Sequence, residues 1–174
     1  MIYIEIIRYK TWGVMIMAYT IVDIIDKAIE ISNRRIKAYE RIEKENENVP
    51  YVKIISKVII KEAHKTMKYY EDSKRIMDNE NFEEIDFHTY DKISFLVNQF
   101  NQRTYSLEFT NAKEYFEKLL EFQRDVRTLY VDIQGRLVRN ADDVHKRAYE
   151  ILSDMINYKT EQIRKLEEVL KSKW

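Results

Sequence analysis

The sequence predicts an all-α fold, in which four long helices pair as two antiparallel hairpins joined by a long crossover. Three observations predict it. The 174 residues contain two glycines and one proline, too little punctuation for the tight turns of a sandwich or barrel. Apolar residues recur at threes and fours over four long stretches, the period of a helix with one buried face. Short runs rich in Asn, Asp and Glu separate those stretches, as helix stops and starts do.

The first helix is expected over 19–46. Ile21, Ile25, Ala28, Ser32, Arg35, Tyr39 and Ile42 share its inner face, and Thr20 with Asp23 forms the spacing of a capping box. Glu45-Asn46-Glu47-Asn48 ends it, and Pro50 suits the first turn of a second helix over 50–77. The second helix's inner line reads Val52, Ile55, Ile59, Glu62, Thr66, Tyr69 and Ser73. Residues 78–110 are too long for a hairpin loop and make the crossover, with a helix around Tyr90 to Phe100. Asn111 with Glu114 starts the third helix, 111–138, whose inner line is Phe116, Leu119, Leu120, Gln123, Val126, Tyr130 and Ile133. After the break Asn140-Ala141-Asp142-Asp143, a fourth helix is expected over 142–172 through Ala148, Ile151, Met155, Gln162, Leu166 and Val169.

The halves repeat faintly. A shift of 91 residues lays Lys27, Glu30, Tyr39 and Ile42 on Lys118, Glu121, Tyr130 and Ile133. A shift of 97 lays Ile54, Ser56, Ile59, Lys68 and Glu71 on Ile151, Ser153, Ile156, Lys165 and Glu168. Such a repeat suits two hairpins joined by one crossover.

Residues 1–17 read as a leader outside the bundle, which occupies 18–174. Trp12-Gly13-Val14-Met15 can be encoded by bases containing GGTGATG, a ribosome-binding sequence, so Met17 is expected to be the native start. The alternating Ile2, Ile4 and Ile6 suit a strand. The apolar stretch Trp12 to Tyr19 is short and lacks a small-x-small cleavage site, which argues against a signal peptide.

Composition narrows the function. Thirty basic residues balance thirty acidic ones, so no net field draws the chain to nucleic acid. There is no cysteine, which removes thiolate catalysis, disulfides and Cys-metal sites. No run of 18 apolar residues offers a membrane span, and a cytoplasmic location is expected. Neither a Gly-rich phosphate loop, a nucleophile elbow nor a His-Glu-x-x-His motif is present. His64 lies two residues from Glu62, about 200° around the helix, and is expected at the surface, and His88 and His145 are expected in solvent. Tyr39, Tyr69 and Tyr130 are expected as core aromatics whose hydroxyls find partners.

Ala28-Ile29-Glu30-Ile31 followed by Tyr39, the crossover start Asn81-Phe82-Glu83-Glu84-Ile85-Asp86, Leu120-Glu121-Phe122-Gln123 with Tyr130, and Glu161 to Glu168 together resemble the rubrerythrin-type branch of the ferritin-like superfamily. That resemblance implies a four-helix bundle with a dimetal site in its core, each half supplying a Glu from its first helix and a Glu-x-x-His from its second. The equivalent positions here are Ser32, Glu62 and Lys65 in the first half, and Gln123, Lys159 and Gln162 in the second. One ligand of six survives. Glu30 and Glu121 lie nine residues before their tyrosines, on the opposite side of the helix, and are expected outside.

A dimetal centre concentrates negative charge, whereas Glu62 against Lys65 and Lys159 sums to +1. All six positions remain polar, so burial would demand a hydrogen-bond and ion-pair network, with a bridge from Glu62 to Lys159 or Arg35. The reading that follows is a ferritin-like protein with a degenerate dimetal site, a non-catalytic structural or binding module with no expected cofactor. Its alternative is an oxidoreductase or iron-handling protein binding iron or another divalent metal. A third possibility is an organic ligand held in the core by Lys65 or Lys159. A homodimer is the default assembly, with Trp174 at an oligomer contact and the charged tail Glu161 to Lys173 open to a protein partner.

Overall fold

The computed structural model describes residues 19–77, 82–103 and 109–173. These residues are mostly helical, with no strand beyond a single antiparallel bridge between Tyr19 and Ile85. The expected features at residues 1–17, the start at Met17 and the contact at Trp174 lie outside the described residues.

Helix α1 runs Ile21–Glu45. The Thr20 hydroxyl accepts the Val22 N–H and the Asp23 carboxylate accepts the Thr20 N–H, so two N–H groups that the helix cannot satisfy are bonded reciprocally. Helix α2, Pro50–Met77, starts on the proline, whose missing N–H costs nothing at that position. Helix α3, Phe87–Gln102, extends further each way than the sequence period indicated, because Asp86 caps it through the Thr89 N–H at 3.1 Å. Helix α4, Ala112–Leu137, begins behind Asn111, which accepts the Glu114 N–H, while the Glu114 carboxylate bonds Thr110.

The last helix starts later than expected. The segment Ala141–His145 is a 3-10 turn and α5 runs Arg147–Lys173. Asp143 causes the interruption. Its buried carboxylate accepts the N–H groups of Arg139 and Asn140 and pairs with Lys146 at 2.7 Å. Those contacts, the Lys146 pair first, hold its pKa down to about 2. The backbone at Lys146 is extended, with φ −74° and ψ 144°.

Helix α1 packs along α2 and α4 along α5, as two antiparallel hairpins whose side chains meet in a shared core. Lys74 reaches back to Asp26 across the first, and Gln134 donates to Ser153 across the second. Helix α3 lays Ile93, Val97 and Phe100 against α4. Arg139 fixes its start by bonding Asp86 and Thr89.

The core is two apolar clusters placed end to end. One contains Ile24, Ile31, Tyr70, Phe122, Tyr130 and Met155, and the other contains Tyr39, Ile42, Val52, Ile59, Tyr115 and Leu119. Between them every long helix contributes polar residues: Ser32 and Arg35, Glu62 and Thr66, Gln123, and Lys159 with Gln162. On α2 the inner face is rotated from the expected line, so that Ser56 and Tyr70 are fully buried and Tyr69 only partly.

Buried hydroxyls differ in partnership. Ser56 and Tyr115 share a hydrogen bond of 2.7 Å. The Tyr70 hydroxyl lies beside that of Tyr130 without hydrogen-bond geometry. Removing a partner from a buried pair costs about 1–3 kcal/mol, whereas removing an unsatisfied group costs little. Urea unfolding should therefore show Ser56→Ala destabilised by about 1–3 kcal/mol and Tyr70→Phe unchanged or more stable. Equal losses in both would show that the Tyr70 hydroxyl has a partner.

Candidate functional site

The polar layer surrounds a cavity of about 480 Å³, open to solvent on one side. Ser32, Glu62, Lys65, Gln123, Lys159 and Gln162 all line it. Their placement follows from helical phase. Ser32 lies one turn beyond Ala28, Gln123 sits between Leu119 and Val126 on the buried face of α4, and Lys159 follows Met155 on α5. Between the two hairpins, short side chains such as Ser32, Ala63 and Thr66 leave the space unfilled.

Lys159 is the centre of the layer. It is 4% exposed, and its Nζ donates to Gln123 Oε1 at 3.0 Å and to Gln162 Oε1 at 2.9 Å. The Gln162 amide nitrogen donates to Thr66 Oγ1 at 2.7 Å, and that hydroxyl donates to the Glu62 carbonyl. On the opposite wall the Arg35 guanidinium lies 3.3 Å from the Phe122 ring centre and donates from Nε to the Tyr39 hydroxyl at 3.0 Å. Ser32 bonds its own helix, donating to the Ala28 carbonyl. Residues from all four long helices thus meet in one band.

The expected bridge from Glu62 to Lys159 or Arg35 does not form. Glu62 pairs instead with Lys65 at 2.6 Å, one turn along its own helix, and both side chains are about half exposed at the cavity mouth. The nearer ammonium wins because it costs no desolvation. Of the six positions only Lys159 is buried; the layer is less enclosed than six substituted core positions implied. Glu30 and Glu121 are exposed on the outer faces, and His64, His88 and His145 are exposed as well. Among the described residues no group of three or more His, Asp or Glu side chains could hold a metal ion.

Several wall residues lay outside the six. Tyr130 and Phe122 come from the buried face of α4 and Val126 lies between them. Tyr158, stacked on Tyr69 with ring centres 4.3 Å apart, falls off the expected inner line of α5. Its spacing of four to Gln162 was the available signal. Val58 and Val169, 52% and 44% exposed, form an apolar rim between α2 and α5.

Burial governs the protonation of this layer. Removing Lys159 from water lowers its pKa to about 8, because desolvation penalises the charged form. Desolvation raises Tyr39, with smaller opposing effects from the Arg35 guanidinium and the Gln123 amide. Tyr70 and Tyr130 are raised chiefly by the same cause. At neutral pH the fold therefore carries a buried ammonium whose nearest partners are neutral amides.

That arrangement sets the pH dependence of stability. An unfolded lysine titrates near 10.4, so between about pH 8 and 10 the unfolded chain binds the proton that the folded chain has released, and stability rises with pH. Above about pH 10 the tyrosines, kept neutral by the fold, ionise in the unfolded chain and the gain reverses. Relative to Lys159→Met, the protein should gain roughly 2 kcal/mol between pH 7 and 9.5 in urea titrations. Parallel profiles would place the ammonium in water. Comparison with known proteins finds no matching family model, no similar curated protein and no similar solved structure, so the residues of this layer carry the functional reading.

Proposed function

We propose that this chain is a ferritin-like protein in which the layer of a dimetal centre has become a binding cavity, and that it works as a non-catalytic binding module. One observation carries the reading: Lys159 puts a buried ammonium into a 480 Å³ space lined by all six residues at the family's ligand positions. A metal site needs converging carboxylates and imidazoles, whose charge offsets that of the ions. Here the inward groups are an ammonium, a guanidinium, two amides and hydroxyls. The one carboxylate among the six positions, Glu62, is held at the mouth by Lys65.

The space has the size and lining of a small-molecule site, largely apolar with a few convergent polar groups. The hydroxyls of Ser32 and Thr66 are bonded to backbone carbonyls, with no adjacent base to activate them, and the Lys159 amine is held by two amides and stays mainly protonated at neutral pH. Binding without turnover is the chemistry that this set supports.

Anaerobic loading with Fe(II), followed by desalting and metal analysis, tests the reading. The expected content is below about 0.1 ion per chain with an unmoved thermal midpoint, because an ion bound only by the native state must stabilise it. About two ions per chain, reduced in Glu62→Ala, would overturn the reading in favour of an iron-handling oxidoreductase.

A further inference from the structure

We infer that the cavity takes an organic monocarboxylate with an apolar body, its carboxylate received by the Lys159 ammonium and its body by the aromatic and aliphatic walls. The inference rests on the core being a binding site, and it adds the chemical class of the ligand.

Valence makes the first argument. A lysine ammonium has three N–H donors, and Lys159 uses two of them on Gln123 and Gln162. The third has no acceptor among the described residues, in a side chain that is 4% exposed and lines a cavity. The glutamines fix the ammonium's direction while leaving its charge uncompensated. An amide pair satisfies donors; it cannot neutralise them. A buried ammonium without a counter-ion is costly, and a ligand that brings one recovers a large part of that cost on binding.

Charge distribution makes the second. At the mouth, Glu62 pairs with Lys65, and Glu161 pairs with Arg164 at 2.6 Å and lies 3.6 Å from Lys165, so each rim carboxylate is matched by a cation. Deeper in, Lys159 gives the wall positive charge. Anions are favoured there and cations are not. A single negative charge fits better than a dianion, because the two glutamine oxygens beside Nζ would repel extra charge and one open donor cannot satisfy it.

The walls make the third. Ile31, Phe122, Val126, Tyr130 and Tyr158 face the cavity, a lining for an aromatic ring or a medium-length alkyl chain. The exposed rim valines, Val58 and Val169, would lose water when the apolar end of such a ligand covers them. A small hydrophilic acid would leave this surface wet.

Calorimetry with 4-phenylbutyrate and decanoate, each beside its neutral alcohol and beside inorganic phosphate, tests the assignment on the full chain. At least one acid should bind with 1:1 stoichiometry, about 10- to 100-fold tighter than its alcohol, the range of a charge-assisted hydrogen bond. Which acid binds better distinguishes an aromatic from a fatty-acid source. Lys159→Met should lose that preference while keeping its helical circular dichroism. Val58→Trp, on an exposed position at the mouth, should weaken the acid about tenfold or more by obstruction and serves even if Lys159→Met fails to fold. Equal affinity for acid and alcohol would overturn the carboxylate assignment and leave the binding reading standing. Undiminished acid binding in a folded Lys159→Met would place the acid elsewhere. Phosphate binding tighter than either acid would also overturn the assignment. No binding of any probe up to its solubility, with an unmoved thermal midpoint, would overturn both readings.

Discussion

The enclosure of one ammonium, that of Lys159, sets the terms for the middle of this protein. A lysine removed from water demands acceptors, and the acceptors must come from elsewhere in the fold. Gln123 supplies one from α4 and Gln162 another from α5, and Gln162 in turn ties itself to Thr66 on α2. Arg35 and Tyr39 close the band from α1. The hydrogen bond from Gln162 to Thr66, like that between Ser56 and Tyr115, is a directional link between the two hairpins, which also meet through apolar core contacts. Apolar packing within and between the hairpins supplies stability; the polar band adds direction, favouring one register of the hairpins against each other.

That division of labour explains why a cavity exists where a core should be continuous. The two apolar clusters are each densely aromatic, with Tyr70, Tyr130 and Phe122 in one and Tyr39 and Tyr115 in the other. A layer of leucines would join them and would cost nothing in desolvation. Ser32, Ala63 and Thr66 are instead too short to meet across the gap, and Lys159 and Arg35 cannot collapse into it without losing their own partners. The space is sustained by groups that must remain hydrated, hydrogen-bonded or neutralised by something that enters.

Much of the fold was legible because helix signals are local. The Thr20–Asp23 box, Pro50 at the first turn and Asn111 before Glu114 are short-range devices, and the structure uses each of them. The break near Asn140 was visible too, but the length of the interruption depends on Asp143 bonding backward to Arg139 and Asn140, which periodicity does not register. The repeat was a good guide to faces on the first helix of each half, where Tyr39 and Tyr130 are both buried and Glu30 and Glu121 both exposed. On the second helices it held at Ile59 and Ile156, both buried, and at Lys68 with Lys165 and Glu71 with Glu168, all exposed, but not at Ile54, 66% exposed, against Ile151, 4% exposed. The α2 face is turned so that Ser56 and Tyr70 point inward, a rotation set by packing against α1 and α4 that no single-helix pattern contains.

The site shows the same boundary between local and tertiary information. The family resemblance pointed to six polar positions, and all six line one cavity, Lys159 buried within it and Glu62 with Lys65 at its mouth. Their partnerships could not be found that way, because a charged side chain chooses between neighbours by the cost of leaving water. Glu62 had Lys65 within one turn in solvent and Lys159 across the bundle in a desolvated layer, and the exposed pair is the one formed. With the carboxylate held outside, positive charge stays inside. On the proposed reading, helix positions that suit a cation when they carry carboxylates suit an anion when they carry Lys159, because phase and depth determine where a charge sits and only its sign determines what it attracts.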